Sequence, residues 1–417
     1  MRIACFSVCM RIGGAEKVAA QLIGLWRKSG HETVLITSEP QAEREYDCEY
    51  VAREVLDRDL WVSAEKISEL HEKHRFDVVV FNGGVSRAGF GDAVDWMSRH
   101  GVRTVMILHH TANNWMYTLG SSEDLWVDDV WRKLDAVVCV DEIWALWWKY
   151  RGMNSVFIGN PVSVSCNKPD TGEKRDASAY LEAGSRPGNL ILVKNTDEAV
   201  MRLKGKRDIV WIGRLNDPLK RPELAIDVFA EHLRTENAGD GRATLTMLGA
   251  CDKAVERQLR KRLAAKLEGA SGNRPDVVFP GFVTNAGEYL KKADVHLFTS
   301  ATEVTVPQVV REAQTAGVET VAFDIPVLRG AKSVPEQRIW ETEEKWSKVL
   351  EGKSVECDFD TEEVRQRLMD EFQFSQQWFA SHYLPTLHAV RRLKMRADIR
   401  YLFRRMMDKL KRRFKGA

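Results

Sequence analysis

Two cations follow a strand that ends in glycine, and together they are equipped to hold an anion. The segment Val210-Trp-Ile-Gly-Arg-Leu-Asn-Asp-Pro-Leu-Lys-Arg-Pro222 opens with an apolar run, turns at Gly213 and presents Arg214 and Lys220 on either side of Pro218. Arg offers phosphate oxygens a rigid fork of N–H donors, and Lys offers a point charge. In open α/β sheets ligands collect at the carboxyl ends of strands, so this loop lies where a phosphate group would be held. Basic residues also decorate ordinary surface loops, so the pair gains its meaning from the elements around it.

Those elements alternate. Ala243-Thr-Leu-Thr-Met-Leu-Gly249 and Val277-Val-Phe-Pro-Gly-Phe-Val283 read as strands, Glu288-Tyr-Leu-Lys-Lys292 as a short helix, and Ala293-Asp-Val-His-Leu-Phe-Thr-Ser300 as a further strand. Val309-Val-Arg-Glu-Ala-Gln-Thr-Ala-Gly317 reads as a helix closed by a glycine cap, followed by a strand at Glu319-Thr-Val-Ala-Phe-Asp324. Strands alternating with helices imply parallel βαβ units.

The amino-terminal half has the same grammar. Arg2-Ile-Ala-Cys-Phe-Ser7 is an apolar strand leading to the turn Gly13-Gly14-Ala-Glu-Lys17, then to a helix with an apolar face over Val18–Trp26 and a strand at Thr33–Thr37. A glycine turn entering a helix N-terminus is a plausible anion site, because backbone N–H groups and the helix dipole point at it. The dinucleotide fingerprint Gly-x-Gly-x-x-Gly is absent, so NAD is not indicated. Phe76–Phe81 and Val102–Leu108 read as inner parallel strands, apolar throughout as a doubly covered sheet requires. The second of these ends in His109-His110-Thr111, at a strand's carboxyl end where a ligand would lie. Metal binding is the poorer use for that pair: adjacent residues on an extended segment point to opposite sides, and no carboxylate is nearby to complete a set. Val137–Val140 is a further strand, and Val156-Phe-Ile-Gly-Asn-Pro-Val162 leads out of the first domain.

The order of these motifs resembles that of the family-four retaining glycosyltransferases, which have two Rossmann-like domains facing a cleft (the GT-B architecture). Gly213, Arg214 and Lys220 match the family's donor-diphosphate loop, with Lys220 about one residue late, and Glu312, Ala313 and Gly317 match its Glu-Ala-x-Ala-x-Gly helix. The resemblance implies that Arg214 and Lys220 neutralise a diphosphate leaving group and that Glu312 holds ribose hydroxyls. It implies that Gly13 and Gly14 face the cleft, and that His109 or His110 contacts the donor sugar. The chain departs from the pattern at the other glutamate: eight residues rather than seven separate Glu303 from Glu312, and Val304-Thr-Val-Pro307 replaces a glycine-containing segment. If a loop bulge absorbs the extra residue, Glu303 contacts the donor sugar; if not, that contact is lost.

The chain has 417 residues, room for two α/β cores, and its hydrophobic fraction of 44% is ordinary for a globular protein. No run reaches the ~18 apolar residues that span a bilayer, and the first residues enter a strand at once, so no signal peptide is expected. Seven cysteines without C-x-x-C spacing argue against a disulfide framework or a zinc site and for a reducing compartment. Net charge is only +2, but residues 391–417 carry twelve Lys or Arg against two Asp, leaving the rest acidic. Ile399, Leu402, Phe403, Met406, Met407, Leu410 and Phe414 recur there at helical spacing opposite Arg400, Arg404, Lys411 and Lys415. Such a basic amphipathic helix fits an anionic membrane surface, the alternative being a terminal helix packed on its own protein. Nucleic acid is not expected, since no groove-reading module accompanies the charge. Asp358-Phe-Asp360 reads as a helix cap with solvent-exposed acids rather than a metal pair.

The expected organisation is a first domain over 1–163, a linker over 164–207 in which the apolar run Leu190-Ile-Leu-Val193 could add an edge strand, a nucleotide-sugar domain over 208–371, a helix at about 372–390 crossing back to the first domain, and the basic tail. The expected activity is metal-independent, retaining hexosyl transfer from a nucleotide-diphosphate sugar to a glycan or lipid-linked acceptor of surface polysaccharide or glycolipid. No cofactor is expected, and the enzyme would be cytoplasmic, peripheral at the inner face of the cell membrane. The alternative is a degenerate nucleotide-sugar-binding partner in a glycan-assembly complex, favoured by the displaced Glu303.

Overall fold

The computed structural model describes residues 1–378 except 11–12, 42–44, 47, 57–61, 84–88, 110–128, 162–187, 236–242, 269–275, 284, 304, 330–336 and 356–358. Two all-parallel sheets follow one another along the chain. The first contains β1 (Arg2–Phe6), β2 (Glu32–Thr37), β3 (Ala52–Val55), β4 (Val78–Asn82), β5 (Arg103–Leu108), β6 (Ala136–Cys139) and β7 (Ser155–Phe157), in the spatial order β3-β2-β1-β4-β5-β6-β7. The second contains β8 (Leu190–Val193), β9 (Asp208–Ile212), β10 (Thr244–Leu248), β11 (Asp276–Gly281), β12 (Val295–Phe298) and β13 (Glu319–Phe323), in the order β11-β10-β9-β12-β13-β8.

Helices cover both faces of each sheet, which is why the inner strands are continuous apolar runs. In the first sheet, α1 (Gly14–Lys28) buries Val18, Leu22, Ile23 and Trp26 against one face. The helices α2 (Ala64–His74), α3 (Phe90–Arg99) and α4 (Glu142–Tyr150) cover the other. In the second sheet, α5 (Thr196–Leu203), α6 (Pro222–Thr235) and α7 (Lys253–Lys266) lie on one side. The short α8 (Gly287–Leu290) and α9 (Gln308–Thr315) lie on the other. Ser63, Asp141 and Asn195 start α2, α4 and α5 by accepting a backbone N–H of the first turn. Gly317 closes α9 at φ 76°, a left-handed conformation that glycine adopts without a Cβ penalty.

Two boundaries differ from expectation. The second sheet begins inside the segment read as a linker: Leu190–Val193 pairs with β13 as an edge strand, and Thr196–Leu203 forms α5 over it. The sequence allows an edge strand at that apolar run inside the linker; α5 after it is the part it does not signal. The chain also returns to the first domain earlier than 372. After α10 (Pro326–Arg329) comes α11 (Gln337–Leu350), whose Trp346 packs edge-on against Trp26 of α1 with ring centroids 5.6 Å apart. Arg103 of β5 donates to the carbonyl of Leu350. Then α12 (Glu362–Trp378) docks on α4, where Arg367 meets Asp141 at 3.2 Å and Glu142 at 3.1 Å. Asp360 is not the helix cap expected. It accepts hydrogen bonds from Tyr150 at 3.1 Å and Arg365 at 2.9 Å, while Thr361 caps α12. Asp358 and the basic tail at 391–417 lie outside the described residues.

In each sheet the strand order reverses between two central neighbours, β1 and β4 in the first and β9 and β12 in the second. Side connections leave in opposite directions there, opening a crevice at the carboxyl ends. Among the described residues, no helix is long and apolar enough to cross a membrane.

Candidate functional site

At the reversal point of the second sheet, β9 delivers Gly213 and the loop up to Pro222. A Cβ at Gly213 would come within 2.8 Å of the Trp211 ring, so glycine lets the chain turn over that indole. The loop is fastened to the end of β12. Trp211 Nε1 donates to Thr299 Oγ1 at 2.8 Å, that hydroxyl lies 2.8 Å from the carbonyl of Lys220, and the N–H of Ala301 donates to the carbonyl of Leu219 at 2.8 Å. Three cations therefore leave one short loop in different directions. Arg221, at φ 50°, turns inward: its Nε donates to the Thr299 carbonyl at 2.7 Å, its guanidinium lies over Phe323, and burial pulls its pKa down. Arg214 stays 61% exposed and meets Asp217 at 2.8 Å, whose other oxygen accepts the N–H of Leu219. Lys220 is more sheltered and pairs with the carboxylate of Glu303, on the loop that leaves β12.

The first sheet's reversal point is built differently. Asn82, at the end of β4 and buried, donates through its amide to the Ala15 carbonyl at 3.0 Å and to Ser7 Oγ at 3.3 Å. Its oxygen, 2.8 Å from His109 Nε2, is left as the acceptor, so that ring nitrogen carries the proton. One amide thus ties together the ends of β1, β4 and β5 and the start of α1. Gly13 caps α1 in an extended conformation, and any Cβ on it would run into the Glu16 carboxylate, so the side chain of Glu16 lies directly over the turn.

The two halves meet along α1 and α9. Lys17, in the first turn of α1, bonds to the carboxylate of Glu312. Gln308 donates to Gln21 Oε1 at 3.0 Å. The ring of Tyr46, on the chain after β2, stands edge-on to Phe282, which follows β11, with centroids 6.3 Å apart. Burial, with Glu16 and Glu312 nearby, pushes the Tyr46 phenol up to about 12. Among the described residues, no three His, Cys, Asp or Glu side chains lie together as a metal-holding group.

Sequence comparison assigns both halves. A family model described as Glycosyltransferase Family 4 matches residues 12–165, and one described as Glycosyl transferases group 1 matches residues 206–338. The chain belongs to the family-four, group 1 glycosyltransferases. No curated protein sequence matches it. Among solved structures, the fold matches the α,α-trehalose-phosphate synthase (UDP-forming) of Burkholderia xenovorans with a TM-score of 0.52 at 11% identity, over 90% of this chain and 96% of that one. It matches the trehalose-6-phosphate synthase OtsA with a TM-score of 0.50 at 12% identity, over 91% and 98%. The arrangement of two parallel-sheet domains is therefore the GT-B fold of these glycosyltransferases.

Within this glycosyltransferase, the sequence-derived residues fall into neighbouring groups. Gly213, Arg214, Lys220 and Glu303 share the β9–β12 crevice. Glu312 sits on α9 against α1, whose amino end is Gly13 and Gly14, and His109 closes the β1–β4–β5 corner. His110 lies outside the described residues. Sequence reading missed Lys17, Asp217, Asn82 and the Trp211–Thr299 staple. Lys17 stood in the Gly-Gly-Ala-Glu-Lys turn, and Asp217 three residues after Arg214 was visible as a helical-spacing partner. Nothing in the order of residues pairs Asn82 with His109.

Proposed function

We propose that the enzyme transfers a hexosyl group, with retention of anomeric configuration, from a nucleotide-diphosphate sugar to a glycan or membrane-linked acceptor. The observation that carries this reading is the Lys220–Glu303 pair beside Arg214 at a reversal point of the sheet. A cation for phosphate oxygens and a carboxylate for sugar hydroxyls are held within one ion pair of each other. Departure of a nucleoside diphosphate concentrates negative charge on the bridging phosphate. Preorganised cations that meet it there lower the barrier, and removing one such group in enzymes generally costs about a hundred- to a thousandfold in rate. Arg214 and Lys220 serve this role without a metal ion. Glu312 accepts hydrogen bonds from the ribose, Glu303 from the donor sugar, and His109 faces the sugar from the first domain with its protonated nitrogen fixed by Asn82. The leaving phosphate takes the acceptor's proton. The cytoplasmic face of the cell membrane, engaged by residues 391–417, is the expected place for surface polysaccharide or glycolipid assembly.

The test is a donor panel followed by calorimetry, with UDP, GDP and their common sugar conjugates titrated into wild type and Arg214→Ala. Nucleotide release is then followed with bacterial lipid extract, and anomeric configuration is read by NMR of the product. Binding of one nucleotide sugar, weakened in the variant, with release only when lipid is present, is the expected result. Binding without turnover under any acceptor would favour the degenerate partner, and no nucleotide binding would defeat both.

A further inference from the structure

The ion pair between Lys17 and Glu312 joins residues 295 apart in the sequence and has no role in the reaction as described so far. It is one rung of a two-rung ladder. Lys17 faces Glu312, and one turn further along α1, Gln21 faces Gln308, one turn earlier on α9. Residues four apart share a helix face, so the two helices run antiparallel here with their registers matched. The first domain therefore touches the second at the residue expected to hold the ribose.

A carboxylate offers about four acceptor positions. Lys17 takes one of them at Oε1, which leaves room for both hydroxyls of a ribose, so lysine and ribose are joint partners of Glu312 rather than rivals. The Glu312 side chain is 11% exposed and that of Lys17 is 23%. Removing one member of so sheltered a pair leaves the other with its desolvation uncompensated.

We propose that Lys17 is a positioning residue: it holds the Glu312 carboxylate ready for the 2′,3′-diol of the donor's ribose, making diol capture by the second domain depend on a helix of the first. This rests on the donor-site reading of Glu312. The Gln21–Gln308 bond at 3.0 Å registers the two helices independently of charge, so loss of Lys17 removes the cation and not the docking.

The experiment titrates UDP, GDP and their 2′,3′-dideoxy analogues into wild type, Lys17→Met and Lys17→Arg by calorimetry. Lys17→Met is expected to lose about tenfold or more in affinity for the ribonucleotide that wild type binds, and under about twofold for its dideoxy analogue, as a charge-assisted hydrogen bond acting through the diol requires. Lys17→Arg is expected to recover most of the loss. Equal losses for both nucleotides would overturn the proposal, since Lys17 would then act on the diphosphate or on the fold at large. No loss for either would overturn it as well. If Lys17→Met proves too unstable to titrate, Lys17→Gln, a donor without charge, is read by the same comparison. Failure of wild type to bind UDP or GDP would instead defeat the donor-site reading itself, and this proposal with it.

Discussion

The two sheets reverse their strand order in the same way, yet their crevices are furnished with opposite chemistry. At the β9–β12 crevice the side chains are ionic, with Arg214 against Asp217 and Lys220 against Glu303. At the β1–β4 crevice the working bonds are neutral: an asparagine, a serine hydroxyl and a backbone carbonyl hold one imidazole. Topology supplies a place for a ligand, and the residues released at the strand ends decide which part of a ligand it suits. Movable cations suit a charge that appears during reaction. A neutral network suits an imidazole whose direction and proton must stay fixed.

The largest effect should come from breaking the ionic crevice. Lys220→Ala is expected to lower the transfer rate about a hundred- to a thousandfold, by loss of a cation at the leaving group and by freeing Glu303. Steady-state kinetics with the donor named by the panel would measure it. A loss of only twofold would mean that the charged crevice is not where the charge develops.

The neutral crevice should respond less. Asn82→Ala is expected to reduce the rate about ten- to a hundredfold, because a misdirected base or donor loses part of a contribution that is itself about a hundred- to ten-thousandfold. The donor dissociation constant is expected to stay within about twofold. If binding falls and rate at saturation does not, His109 holds the ground state rather than the reacting sugar.

Thr299→Val tests the staple under the ionic loop. It leaves Trp211 Nε1 buried without its partner and releases the carbonyl of Lys220, at an expected cost of about 1–3 kcal/mol in unfolding free energy. Denaturant titration followed by tryptophan fluorescence reads this directly. An unchanged midpoint would show that the loop keeps its shape without the staple.

The smallest effect separates the sheets by acid. His296 of β12 is fully buried, and burial pulls its pKa down from 6.5 to about 3. The unfolded chain takes up that proton first, so the contribution of neutral His296 is intact above pH 6.5. It is lost progressively as pH falls toward 3. Comparing unfolding at pH 7 and pH 5 in wild type and His296→Leu should find the smaller drop in the variant. Equal drops would place the acid sensitivity elsewhere.

Much of this was legible in the chain because parallel sheets advertise themselves. The apolar runs at Val78–Asn82, Arg103–Leu108 and Asp208–Ile212 are buried strands, and Gly317 does end α9. The short strand Ala52–Val55 went unread because its burial is partial and its composition mixed. The return to the first domain was placed too late because Trp346 has no local signature of its partner Trp26. Of the site, the sequence supplied the residues whose chemistry is conspicuous, namely Arg214, Lys220, Glu303, Glu312 and the glycine turns. It was blind to which cation takes which acid, since Lys220 with Glu303 and Lys17 with Glu312 are separated by 83 and 295 residues.

By itself, then, the sequence determined the alternation of strand and helix, the two-domain plan and the list of groups able to meet a sugar nucleotide. These follow from local periodicity, turn chemistry and side-chain type, which act over a few residues. Only the tertiary structure decided that Arg221 turns inward while Arg214 and Lys220 do not, that Asn82 fixes His109, and that α1 and α9 meet rung by rung. Those outcomes depend on burial and on partners distant in the chain, and a hydrogen bond between such partners exists only once the fold has brought their elements side by side.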